Sequence, residues 1–235
     1  MATFVLVPGA GSDSWYWHLV APRLVAAGHE VVTVDLPVDD DDAGLADYAA
    51  TLLAALPEPA SPSRLVLVAQ SMGAYAATMA AARVPVALLV LVAPMIPAPG
   101  ETPGEWWDAV GQPEHARQMA IADGRDPDGE FDEVETFLHD VPPDVAAASA
   151  EHVHPQSGRP FDDVWPLGGW PDVPTRMVIG TGDRLFPPRL QQQVARDRLG
   201  LVPDELDSGH LPALSRPDEL AALLLRYLDE SVPSA

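Results

Sequence analysis

Apolar residues along this chain fall into two kinds of run. Short blocks rich in Val, Leu and Ile occupy 3–7, 30–34, 64–69, 87–92, 175–180 and 201–206. They are apolar almost throughout instead of alternating, the pattern of strands covered on both faces of a parallel sheet. Longer Ala- and Leu-rich segments at 15–27, 44–55, 72–83, 188–198 and 216–229 read as helices. Gly28 and Gly200 close two of them, since glycine readily takes the left-handed position after a helix. Strand and helix in alternation predict an α/β fold, with about six mainly parallel strands flanked by helices.

The rhythm fails between Met95 and Asp172. That stretch shows no core strand, while Pro, Gly, Trp and acidic residues accumulate. A segment so long inside a compact fold is not a plain loop. Short helices at 103–111, 113–122, 130–139 and 143–152 would make it an inserted, mostly helical cap. Trp106, Trp107, Trp165 and Trp170 would line or anchor it. The expected division is a core of 1–94 and 173–235 with a cap of 95–172.

Composition then removes whole classes of function. At 47% hydrophobic residues, a chain of 235 residues can bury a core and is not disordered. It has no cysteine, so disulfides and thiolate chemistry are excluded. The formal net charge is −22, which disfavours nucleic acid and anionic membranes as partners. All 13 basic residues are arginine, so no lysine can form a Schiff base or act as a base. The opening MATFVLVPGAG has no basic or long apolar leader, and no apolar run is long enough for a membrane span. A cytoplasmic location is the expectation. The Asp39–Asp42 run reads as a solvated loop, and His152 and His154 are two apart, off one helix face. Neither metal nor cofactor is expected.

The candidate chemistry centres on LVLVAQSMGAYAATMA, residues 65–80. A buried strand meets a helix with Ser71 alone at the junction, the setting of a nucleophile elbow. Gly73 supplies the small residue that such a turn needs, and Ala69 stands where a second glycine is usual. Ser-x-Gly is common by itself, and serine also caps helices. Two downstream segments, in a fixed order, strengthen the motif. RMVIGTGDRLFPP sets Asp183 just past a strand, and LDSGHLPALSRPDEL sets His210 between a strand and the last helix. A serine hydroxyl needs a base, and the base needs an orienting acid. Backbone N–H groups of Met72 and Ala10, the latter in the loop after the first strand, are candidates for an oxyanion hole.

These motifs resemble the α/β-hydrolases, and among them the small methyl esterases and hydroxynitrile lyases. The similarity is strongest in PGAGSDSWYWHLVAPRLVAAGHEVVTVDLP and spans roughly 3–94 and 173–230. It implies Ser71 as nucleophile, His210 as base, Asp183 as its acid, and Ala10 and Met72 as oxyanion donors. Pro8 stands where the family usually has histidine. The lyase members carry a threonine at the position of Gly9 and a lysine at that of Leu211. Ester hydrolysis is therefore the expected activity, by a serine esterase acting on a small apolar or aromatic ester. A cofactor-free oxygenase, a perhydrolase and a small-molecule receptor are the alternatives, and a homodimer stays open. Trp15, Trp17, Met95, Trp106, Trp107, Phe186 and Leu211 are the pocket candidates.

Overall fold

The computed structural model describes residues 1–57 and 64–231, so residues 58–63 and 232–235 of the expected core lie outside it. Six strands form one sheet: β1 (Thr3–Val7), β2 (Glu30–Thr33), β3 (Leu65–Gln70), β4 (Leu88–Val92), β5 (Thr175–Gly180) and β6 (Asp204–Leu206). Their order is β2-β1-β3-β4-β5-β6, and every pairing is parallel. All strands therefore end at one rim, and the loops that leave them gather there.

Side chains alternate across a strand, so the sheet sorts its residues into two cores. Val5, Val7, Leu67, Ala69, Leu89, Leu91, Met177 and Ile179 face one side. They pack with α2 (Leu45–Ala55), α3 (Gly73–Ala81) and α7 (Pro188–Val194). Phe4, Leu6, Val66, Val68, Leu88, Val90 and Val178 face the other, under α1 (Ala21–Ala26), α8 (Pro212–Ser215) and α9 (Pro217–Ser231). β3 and β4 are buried at every position.

Several predicted elements are shorter than their apolar runs, and proline or glycine is the usual reason. The strand expected at 201–206 keeps only 204–206, because Pro203 has no N–H for the ladder and Val202 is 95% exposed. The helix expected at 15–27 splits into a 3-10 turn, Ser14–Trp17, and α1, which restarts around Pro22. The helix expected at 188–198 passes from α7 into a π-helical turn, Ala195–Leu199, ended by Gly200 at φ 65°. Pro217 opens α9 directly behind the short α8, dividing the last helical region.

Between β4 and β5 the described residues add no strand to the sheet. They form α4 (Pro103–Ala109), α5 (Gln112–Ala122), a π-helical turn (Val134–Leu138) and α6 (Pro143–Ser149). The π-helical turn replaces the helix expected over 130–139, and a 3-10 turn continues α6 to His152. Thr102 and Glu105 start α4 with reciprocal side-chain-to-backbone bonds. Trp106, Val110 and Trp165 are buried in the same cluster as β3 and α3, so the segment is seated on the sheet through them. The Trp165 indole N–H also bonds Thr78 Oγ1 at 3.2 Å. Trp165→Ala should therefore lower stability by about 3–5 kcal/mol, the usual range for emptying a buried tryptophan site. The shift in the urea midpoint measures it, and a loss below about 1 kcal/mol would show that the segment does not depend on this anchor.

Candidate active site

Ser71 leaves β3 at φ 50°, a left-handed conformation that L-residues seldom adopt. Its N–H bonds Val92 O at 3.0 Å, and its carbonyl accepts from Met95 N at 3.1 Å and Ala74 N at 3.2 Å. The exit of β4 thus holds the turn from one side. On the other side, a Cβ at Gly73 would collide with the Pro8 carbonyl, so only glycine lets the start of α3 approach the loop after β1. Ala69 is fully buried between Val7 and Leu91, where its single methyl is accommodated.

Asp183 follows β5 and is completely buried. Burying a carboxylate is costly unless its lone pairs are satisfied. Here Oδ1 accepts from Leu185 N at 2.9 Å and Phe186 N at 2.8 Å. Oδ2 accepts from Gln191 Nε2 at 3.0 Å and faces His210 Nδ1 at 2.8 Å. A carboxylate at Nδ1 requires that nitrogen to carry the proton, which leaves the Nε2 lone pair free. Nε2 lies 3.2 Å from Ser71 Oγ. Serine, histidine and aspartate therefore form one hydrogen-bonded row, although Ser71 and His210 are 139 residues apart.

Backbone donors flank the serine. Among the described residues neither Met72 N nor Ala10 N has a hydrogen-bond acceptor, and both belong to turns bordering Ser71. Gly9 lies against Ser71, since a Cβ added to it would sit 3.0 Å from Ser71 Cβ.

The pocket candidates separate. Phe186 packs edge-on against the His210 ring, with centroids 4.9 Å apart. Trp106 and Trp107 lie 5.0 and 5.5 Å from Phe186, and Met95 is buried in the same cluster. Trp17 is instead fully buried with Phe4 and Leu6 on the opposite face of the sheet, so it is core rather than pocket. Trp15 also departs from expectation. It stacks on His18 and His152 and lines a groove of ≈ 1020 Å³ that contains no residue of the serine–histidine–aspartate row. The 3-10 turn causes both outcomes, because residues two apart on it point in different directions. Leu211 packs toward the cluster of α8 and α9.

His154 Nε2 lies 3.0 Å from Asp13 Oδ2, beside His152 Nδ1 at 2.9 Å, so both histidines are engaged away from the row. Burial alone would raise the Asp13 carboxyl, but the bonds from the two histidines and from Trp15 N together hold it below the usual range. Asp35 accepts from Ser14 N and braces that turn, and Asp204 pairs with Tyr227 and Arg226.

Four residues near the row were not singled out from sequence. Gln191 bonds Asp183, and Gln70 Nε2 bonds the His210 carbonyl at 3.3 Å. Phe137 lies 5.6 Å from the His210 ring, and Asp140 Oδ2 accepts from Gly209 N at 2.6 Å. Only Gln70 carried a signal, a polar side chain closing an otherwise apolar strand.

Comparison with known proteins agrees with this architecture. A family model described as the alpha/beta hydrolase family matches residues 4–223. Methylesterase 7 of Arabidopsis thaliana is 29% identical over 257 residues, covering 97% of this chain and 96% of that protein. Norfluorocurarine synthase 1 of Strychnos nux-vomica is 22% identical over 255 residues, with 97% and 96% covered. The solved structure of a methylesterase protein, MES16 from Arabidopsis, superposes with a TM-score of 0.78 at 23% identity, covering 98% of this chain and all of that one.

Proposed function

The chain belongs to the alpha/beta hydrolase family, and we propose that it is a serine esterase forming an acyl-enzyme on Ser71. The observation that carries this reading is the continuous row from Ser71 Oγ through His210 to a fully hydrogen-bonded Asp183. His210 takes the hydroxyl proton as Ser71 attacks the ester carbonyl. The Met72 and Ala10 N–H groups receive the developing oxyanion, a contribution of about 3 kcal/mol each in comparable sites. His210 then protonates the departing alkoxide. A water molecule deprotonated by the same imidazole releases the acid and restores the serine.

Asp183 keeps the imidazole in the useful tautomer and stabilises the imidazolium formed during attack. Four acceptor contacts fix that carboxylate, so the ring it orients has one position. The similarity to Methylesterase 7 supports an ester as substrate. Phe186 against the His210 ring, with Met95, Trp106 and Trp107 packed around Phe186 in one cluster, supports an apolar or aromatic group on it. A net charge of −22 disfavours strongly anionic esters by steering. A second reading, non-hydrolytic chemistry on the same three residues, draws on the similarity to a protein named as a synthase.

A fluorophosphonate tests the step that both readings share, the activation of Ser71, and ester turnover then separates them. The native chain should gain one phosphonyl adduct by intact-mass spectrometry, and Ser71→Ala none. An adduct on Ser71→Ala, or none on either chain, would refute an activated Ser71. Turnover of a 4-nitrophenyl ester should fall by about a thousandfold or more in Ser71→Ala and His210→Ala. Synthase or receptor chemistry would instead leave the native chain without multiple turnovers.

A further inference from the structure

The stretch from Glu135 to Asp140 reaches both loops that carry the histidine–aspartate pair. Arg184, next to Asp183, donates from Nη1 to the Glu135 carbonyl at 2.8 Å. Phe137 sits against the His210 ring. Asp140 Oδ2 accepts from the N–H of Gly209, next to His210, at 2.6 Å. These attachments come from a π-helical turn and the residues just after it, a geometry that often marks functional sites.

Asp140 stands out among them. Its second oxygen, Oδ1, is buried and has no hydrogen-bond partner among the described residues. A carboxylate held this way costs stability, and a neutral acceptor would serve Gly209 at lower cost. The fit around it is also restrictive. A Cβ at Gly209 would lie 2.6 Å from Asp140 Oδ1 and 2.9 Å from His139 Cε1, so glycine is what admits the carboxylate beneath the loop. The loop is also held by Gly182 N–H, which bonds the Ser208 carbonyl at 2.9 Å, and by Gln70 Nε2, which bonds the His210 carbonyl at 3.3 Å.

We infer that Asp140 is a positioning residue for His210. By accepting the Gly209 N–H it fixes the Ser208–Gly209 peptide, one residue ahead of the base, and it ties the position of the imidazole to the segment between β4 and β5. Asp140 need not touch the substrate. The catalytic consequence rests on the esterase reading, whereas the geometric one does not.

The test compares native chain, Asp140→Ala, Asp140→Glu and Asp140→Asn by two readouts. The first is the proton NMR signal of His210 Nδ1–H, assigned by its loss in His210→Ala. It should broaden or vanish in the Ala variant, which lacks the acceptor, and in the Glu variant, which displaces it by one methylene. Asn keeps an acceptor oxygen and should retain the signal. The second readout is 4-nitrophenyl butyrate hydrolysis. Ala and Glu should lower kcat at least tenfold with KM within about threefold, and Asn should stay within about threefold of native. Should the Ala variant fail to fold, the Glu variant decides alone.

A native signal and native kcat in the Glu variant would overturn the inference. So would an Asn variant as impaired as Ala, since charge rather than position would then matter. A native chain with the signal and its expected response, but no ester turnover, would refute the esterase reading and leave the positioning role standing.

Discussion

A backbone at φ 50° costs an L-residue on the order of 1–2 kcal/mol, and Ser71 keeps that conformation because its surroundings leave it no other. Val92 O takes its N–H, while Met95 N and Ala74 N bond its carbonyl. Gly73 allows α3 to start close under Pro8. The turn ties the exits of β1, β3 and β4 together, and its geometry lifts the hydroxyl above the sheet rim. Ala93, at φ 44° beyond β4, carries a second strained backbone within the same few residues. Strain is concentrated where three central strands end, and the buried ladders beneath are rigid enough to hold it.

The same rim explains how a buried charge is tolerated. Asp183 has no exposure to water, yet two backbone N–H groups, Gln191 and His210 surround its oxygens. Tyr16, fully buried nearby, has its phenol pushed up first by burial and further by Asp183 and Asp140, so it stays protonated. The polar groups of this region are thus divided between one satisfied carboxylate that bonds the His210 ring and one half-satisfied carboxylate, Asp140, under the loop that carries it.

Much of this was legible in the chain because it depended on strand ends. Ser71, Asp183 and His210 each come after an apolar run, and parallel strands bring such positions to one rim whatever their separation in sequence. The tryptophans near the first helix were not legible in that way. Whether Trp15 or Trp17 turns inward depends on the phase of a single 3-10 turn, which composition does not set. Gln191, Phe137 and Asp140 were hidden for a different reason. Each meets the row through packing between distant segments, and nothing in the local pattern around a glutamine, a phenylalanine or an aspartate distinguishes that from an ordinary surface position.

The strand order also bears on how the molecule comes into being. β1 lies inside the sheet, β2 borders it on one side, and β3, β4, β5 and β6 extend outward on the other in the order of synthesis. Each strand after β3 can join the free edge left by the one before it, so the sheet can grow in step with translation. Asp183 enters only after β5 and His210 only after β6, the outermost and shortest strand on that side. A ribosome-bound chain that has folded through β4 already holds Ser71 in its turn, yet lacks both His210 and Asp183. The row is thereby left incomplete until the loop that follows β6 has docked.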